Sequence, residues 1–204
     1  MARVRLGVAE RREELLRAAI GQIEARGVAA VRIADVAAVL GVSNALVLYH
    51  FSTKEKLVAA AFRYAAEADL AHLAKLLGRR SPALRRLRSA VRWYAPTGQA
   101  KGWRLWIEGW AVSLRDPALR EVAGDLDRRW KAAITEVVAE GVAAGEFECP
   151  DPAATALRLT ALLDGLAVQM TAYDGVPRAR AEQWVDAALA GELGLEQAAL
   201  TSGR

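Results

Sequence analysis

The chain is poor in the residues on which covalent and metal chemistry depend. A single cysteine, Cys149, among 204 residues excludes an internal disulfide, and two histidines, His50 and His72, are too few to form a zinc ligand set. No G-x-S-x-G elbow, phosphate loop, HExxH helix or dinucleotide fingerprint is present, so neither an enzyme nor a bound cofactor is expected. Long apolar runs are missing too. Each is broken by Arg, Glu or Asp well short of the ~18 residues that a membrane-spanning helix needs, and no signal-peptide pattern opens the chain; a cytoplasmic protein is expected. No segment alternates convincingly with period two, which argues against a sheet.

What remains is the composition of a helical protein. Hydrophobic residues make up 53% of the chain and charged residues 25%, enough apolar surface for a core and too little charge excess for disorder. The net charge of +4 is unevenly placed. Residues 1–56 hold nine Lys or Arg against six acids, a balance of +3, and the rest of the chain carries only +1. That tilt favours an anionic partner at the N-terminal end. Arg3 and Arg5 precede any helix signal and are either a mobile arm reaching nucleic acid or a plain tail.

Start and stop signals divide the chain into about nine helices, so the predicted fold is all-α. Leu15, Leu16, Ala19, Ile20 and Ile23 form one stripe on a helix from Glu10 to Arg26, which Gly27 stops. Ser52-Thr53-Lys54-Glu55 reads as a capping box, with Ser52 as cap, opening a long helix to Leu77 that no Pro or Gly interrupts. Such a helix can act as a stiff rod between the two ends of the chain. Ser81 as cap and Pro82 as first position start a helix that Pro96-Thr97-Gly98 breaks, and another follows from Lys101 to Leu114. Asp116-Pro117 and Asp151-Pro152 start two more, to Ala144 and Ala172. Asp174-Gly175 turns the chain into a last helix over 177–190.

The stretch from Ile33 to Phe51 organises the reading of function. Ile33, Val36, Ala37 and Leu40 fall at i, i+3, i+4 and i+7, which places them on one face of a short helix. Gly41 supplies a left-handed turn, Val42 plugs the angle, and the Ser43 hydroxyl caps a second helix. On that helix Leu46, Val47 and His50 share the inward side with Ser43, and Asn44, Ala45, Leu48 and Tyr49 face out. An outward face with Leu and Tyr is unusual for a helix meant only for water. It suits the major groove, where Ala and Leu touch thymine methyls, Asn pairs with adenine and Tyr reaches phosphate.

These residues, with Gly27, His50-Phe51 and Lys54-Glu55-Lys56-Leu57, resemble the N-terminal DNA-binding domain of the TetR family of bacterial transcriptional regulators over roughly the first quarter of the chain. The resemblance implies a three-helix DNA-binding domain over 1–56, a regulatory and dimerisation domain over 57–204, and DNA contacts by Arg32, Ser43, Asn44, Ala45, Leu48, Tyr49, His50 and Lys54. Two positions depart from the family pattern. Arg32 stands where many members have a helix-capping Thr, so a phosphate contact there rests on charge alone. Leu48 stands where Tyr is frequent, and Tyr49, one residue later, is the candidate substitute.

Beyond this segment the chemistry is thinner. Trp103, Trp106 and Trp110 fall at i, i+3 and i+7, with Trp93, Tyr94 and Trp130 on neighbouring helices, and form either the wall of an effector pocket or core filling. Asp164 interrupts the apolar run LTALLDGLAVQM and needs a partner: a ligand, a group on another helix, or a group across a subunit interface. Gln169, Met170 and Tyr173 on the same helix are further ligand candidates. That helix is apolar nearly all round, which calls for a second buried face, and Leu162, Leu166, Trp184, Val185 and Leu189 are the candidate dimer contacts. The family's last two long helices pair with their twofold mates, and the segment from Trp103 to Asp164 distantly resembles the betaine-pathway type of regulator. The expected protein is a ligand-responsive repressor that binds a pseudo-palindromic operator as a homodimer. The alternative is a DNA-binding or scaffolding protein without an effector.

Overall fold

The computed structural model describes residues 7–96 and 102–196. Arg3, Arg5, the Thr97-Gly98 break and the helix start at Lys101 lie outside the described residues. Among the described residues there are nine helices and no strand: α1 (Val8–Ala30), α2 (Ile33–Leu40), α3 (Asn44–Phe51), α4 (Lys54–Leu77), α5 (Ala83–Tyr94), α6 (Trp103–Ser113), α7 (Pro117–Ala143), α8 (Pro152–Thr171) and α9 (Arg178–Glu192). The all-α expectation and its helix count hold. No single helix among the described residues is long and apolar enough to cross a membrane.

The helices form two compact units. One comprises Met1–Ala68 with Arg104–Gly124, and the other comprises Asp69–Trp103 with Asp125–Arg204. In the first, the α1 stripe of Leu15, Leu16, Ala19 and Ile23 is buried with Val36 and Ala37 of α2, Val47 and Phe51 of α3, and Leu57 and Phe62 of α4. Burying a Leu, Ile or Phe in this way contributes about 1.5–3 kcal/mol, so this short α2–α3 segment is held chiefly by packing rather than helix propensity. In the second unit, Leu73, Leu87, Ile134, Val138, Leu163 and Leu189 lie in one core.

Asp116 and Asp151 start their helices as their Asp-Pro signals predict: Asp116 accepts from the amides of Ala118 (2.9 Å) and Leu119 (3.2 Å), and Asp151 accepts from that of Ala154 (2.9 Å). Three local expectations are corrected. Regular α1 geometry breaks at Gly27 (φ 80°, ψ 159°), but helical residues continue to Ala30 beyond the kink. Ser52, at φ 64°, turns the chain out of α3, so the cap of α4 is Thr53, whose hydroxyl accepts from the Lys56 amide at 3.2 Å. At the start of α5, the Ala83 and Leu84 amides donate to the two carboxylate oxygens of Glu146 at 3.0 and 3.1 Å, a carboxylate some sixty residues away in place of the expected Ser81 cap.

Candidate nucleic-acid interface and aromatic site

α2 and α3 are bent 115° apart, the geometry of a helix-turn-helix. The turn is built by Gly41 at φ 60°, ψ 39°, a conformation that glycine takes without the cost a side chain would add. Val42 closes it with a bond from its amide to the Ala37 carbonyl at 2.9 Å. The Ser43 hydroxyl accepts from the Leu46 amide at 3.2 Å and caps α3. On α3, Val47 and Phe51 are buried, Leu46 and His50 are half-buried, and Asn44, Ala45, Leu48 and Tyr49 are exposed, Tyr49 at 76%. The outward set is therefore the one the periodicity predicts, although Ser43 is exposed rather than turned inward.

The inner side of α3 is cationic. The Arg12 guanidinium lies 4.9 Å from the centre of the Phe51 ring, and Tyr49 meets His50 edge-on at 5.3 Å. Burial pushes the His50 imidazole below its usual range, and the nearby Arg12 and Arg11 charges add to that. At the start of α2, the Arg32 amide donates to Asp35 Oδ2 at 3.0 Å, while Asp35 Oδ1 accepts from Arg26 at 3.1 Å. Arg32 itself is exposed. Its surroundings form an open depression of about 390 Å³ lined by Arg26, Ala29, Ala30, Arg32 and Asp35, of a size that admits a phosphate group. Lys54 directs its ammonium to the Ala29 carbonyl at 2.9 Å, which leaves two of its three donors for other acceptors.

In the other unit the aromatic residues converge. Tyr94 of α5 lies 4.0 Å from the ring of Trp130 on α7 and meets Trp103 of α6 edge-on at 4.8 Å, and Trp93 lies 6.4 Å from Trp130. His72 of α4, which the sequence offers only as a lone histidine, stacks on Trp93 at 4.4 Å. The Tyr94 hydroxyl donates to Asp164 Oδ1 at 3.3 Å, giving that carboxylate its partner. Burial pushes the Asp164 carboxyl up to about 6; the Tyr94 bond and Lys131 oppose the rise and Asp127 adds to it. The Tyr94 hydroxyl is itself pushed well up, first by burial and then by Asp164, Asp69 and Asp127. Three carboxylates from α4, α7 and α8 thus act on the Tyr94 hydroxyl, and Lys131, whose charge opposes the rise at Asp164, is paired to Asp127 at 2.6 Å. Indole and phenol faces beside carboxylates favour a small cation. His72, Asp69 and Asp127 were not singled out from the sequence; only the i, i+3 spacing of Asp69 and His72 on α4 signals their common face.

Not every predicted ligand residue joins this cluster. Trp106 packs on Phe62 in the unit that carries the helix-turn-helix, at 5.9 Å between ring centres. Trp110 is half-buried, Gln169 is exposed and Tyr173 is 67% exposed. Of the predicted dimer residues, Leu166, Val185 and Leu189 are buried in the chain's own core, because α8 and α9 need those side chains to pack on α5 and on each other. Leu162 is partly buried against the same core. The apolar surface that α8 and α9 leave open includes Leu157 at 53% and Trp184 at 45% exposure, with exposed Ala153, Ala161 and Gly165 on α8 and Ala179 and Ala187 on α9.

Comparison with known proteins finds two family matches. Residues 15–61 match the bacterial regulatory proteins of the tetR family, and residues 83–194 match the C-terminal domain of BetI-type transcriptional repressors. The HTH-type transcriptional regulator BetI of Pseudomonas aeruginosa PAO1 is 29% identical over 164 residues, 76% of this chain and 79% of that protein. A transcriptional regulator from Saccharomonospora viridis, solved in complex with choline, superposes with a TM-score of 0.80 at 30% identity, covering 88% of this chain and 95% of the other. A TetR-family regulator from a Rhodococcus species superposes at 0.77 with 27% identity, covering 91% of this chain and all of the other.

Proposed function

This chain belongs to the TetR family of bacterial transcriptional regulators, with a C-terminal domain of the BetI type, and from that premise we propose that it is a repressor released from its operator by a small cationic effector. The reading gives residues 1–56 the DNA contacts, through Arg32, Asn44, Ala45, Leu48 and Tyr49, and gives residues 57–204 effector binding and dimerisation. A homodimer presents two copies of α3 to successive major grooves of a pseudo-palindromic site in cytoplasmic DNA. The carrying observation is the Tyr94–Asp164 hydrogen bond inside a cluster of aromatic rings, in a chain that also carries an exposed recognition face. Rings supply a cation–π surface and Asp164 supplies the counter-charge, which together suit a quaternary ammonium head. The choline bound by the Saccharomonospora viridis regulator supports that class.

The effector acts by differential affinity. A cation that binds the released conformation more tightly shifts the population away from DNA, and the operator weakens effector binding by the same factor. The test is selection of genomic fragments by the purified chain, then titration of the best fragment at several salt concentrations with and without choline chloride. A pseudo-palindrome preferred over random DNA and weakened by choline is the expected result. Asp164→Asn is expected to keep operator affinity and lose the choline response. Operator binding insensitive to every quaternary ammonium salt tried sinks the effector reading and leaves the effector-independent one.

A further inference from the structure

α6 begins in the aromatic cluster and ends in the unit that reads DNA. Its first residue, Trp103, stands edge-on to Tyr94 at 4.8 Å. From Arg104 onward it belongs with the helix-turn-helix. There the Glu108 carboxylate accepts a hydrogen bond from the backbone amide of Val28 at 3.0 Å, a contact between residues 80 apart in sequence. Val28 follows Gly27, whose φ of 80° and ψ of 159° break α1 and are open essentially to glycine alone. A Cβ on Gly27 would stand 3.0 to 3.3 Å from the carboxylate, so the break and the carboxylate are fitted to each other.

The fit has a structural consequence. Val28–Ala30 is the short segment that delivers the chain to Val31 and the start of α2. Its first amide lost its helical acceptor at the kink, and Glu108 replaces that acceptor with a charged one, a stronger bond than a neutral carbonyl makes. Lys54 holds the same segment at its middle residue through the Ala29 carbonyl at 2.9 Å. α6 itself is seated firmly, because a Cβ on Gly109 would fall 2.4 Å from the Phe62 ring and Trp106 packs on that same ring. A helix fixed by backbone-to-ring contact moves as a body rather than by adjusting side chains.

We propose that Glu108 is the positioning residue through which α6 sets the segment leading into α2, so that an effector that displaces Trp103 at the start of α6 is read at the DNA head as a change in the Glu108 hold on Gly27–Val28. The proposal rests on the cationic-effector reading for its input and on the Glu108–Val28 bond for its output.

The experiment uses the full chain as wild type, Glu108→Gln and Glu108→Ala, with choline chloride as probe. Choline affinity is read by calorimetry, operator affinity by titration with and without saturating choline, and amide exchange over Val28–Val31 by mass spectrometry. For Glu108→Ala the expected result is choline affinity within about twofold of wild type, faster exchange over Val28–Val31, and a fall of about tenfold or more in the ratio of operator affinities without and with choline. Glu108→Gln, which keeps an oxygen acceptor, is expected to lie between and serves alone if the alanine variant does not fold. An unchanged affinity ratio in a folded variant overturns the proposal. If choline binds neither wild type nor variant, the effector reading has failed, and the positioning role is then judged on exchange and operator affinity: both unchanged in the variants overturn it, and faster exchange with weaker operator binding sustains it.

Discussion

Asp164 shows what one misplaced charge does to a helix. Its carboxyl is raised from 3.8 to about 6 mainly by burial, so the folded chain binds a proton more tightly than the unfolded one. The folded state therefore loses stability as pH rises through that interval and carries the full cost of the buried charge above about pH 6. Asp164→Asn keeps an oxygen to accept from Tyr94 and removes the charge. The variant is expected to be more stable than wild type at pH 7.5, by on the order of 3 kcal/mol at most, with the gain shrinking at pH 5. Urea melts at both pH values check this; equal gains at the two would show that burial of charge is not the cause. If Asp164 supplies the counter-charge proposed above, choline affinity of the wild type is expected to rise with pH over the same interval, since the ionised carboxylate is the form that attracts a cation. That Asp164 needs a partner was readable from its apolar neighbours in LTALLDGLAVQM. That the partner is the Tyr94 hydroxyl, 70 residues away, was not, because period and propensity carry no information about which helix lies opposite.

The same divide holds at the scale of elements. The α2–turn–α3 segment was readable because everything that shapes it is local: the 3.6-residue period, the left-handed Gly41 and the Ser43 cap each act within four residues. Ser43→Ala is expected to cost about 1 kcal/mol in a thermal or urea melt, since it removes the side-chain acceptor of the Leu46 amide and leaves that amide only the Ser43 carbonyl at 3.1 Å. Glu146 is the contrasting case. It satisfies the Ala83 and Leu84 amides at the start of α5, and no local pattern announces it. Glu146→Ala should destabilise the chain by about 1–3 kcal/mol, because two donors lose a charged acceptor in a partly buried place. Glu146→Gln keeps one neutral acceptor oxygen in place of two charged ones and is expected to fall between. A loss no larger than that of an exposed surface change would mean that water replaces the carboxylate there.

For the whole molecule, the proposed homodimer needs a surface that brings two copies of α3 together. Leu166, Val185 and Leu189 are committed to the core, and the open apolar surface of α8 and α9 includes Leu157, Trp184 and, on α8, the small residues Ala153, Ala161 and Gly165. Small residues at i and i+4 let a second helix approach closely, and Leu157 at 53% exposure is the largest apolar group on that stripe of α8. If this stripe is the interface of the proposed dimer, a charge placed there meets its own copy across the twofold axis, where like charges repel and lose water together. Leu157→Glu is therefore expected to shift the chain toward monomer in sedimentation experiments while leaving its helix content intact. The DNA readout follows from counterion release, because each head neutralises its own set of phosphates. A dimer on two half-sites loses affinity with salt about twice as steeply, on a logarithmic plot, as a monomer on one. Leu157→Glu should bind the operator more weakly and show roughly half the wild-type salt slope. A variant that stays dimeric with the full slope would place the dimer contact on another face, and a monomeric variant with the full slope would mean that a single head makes all the phosphate contacts.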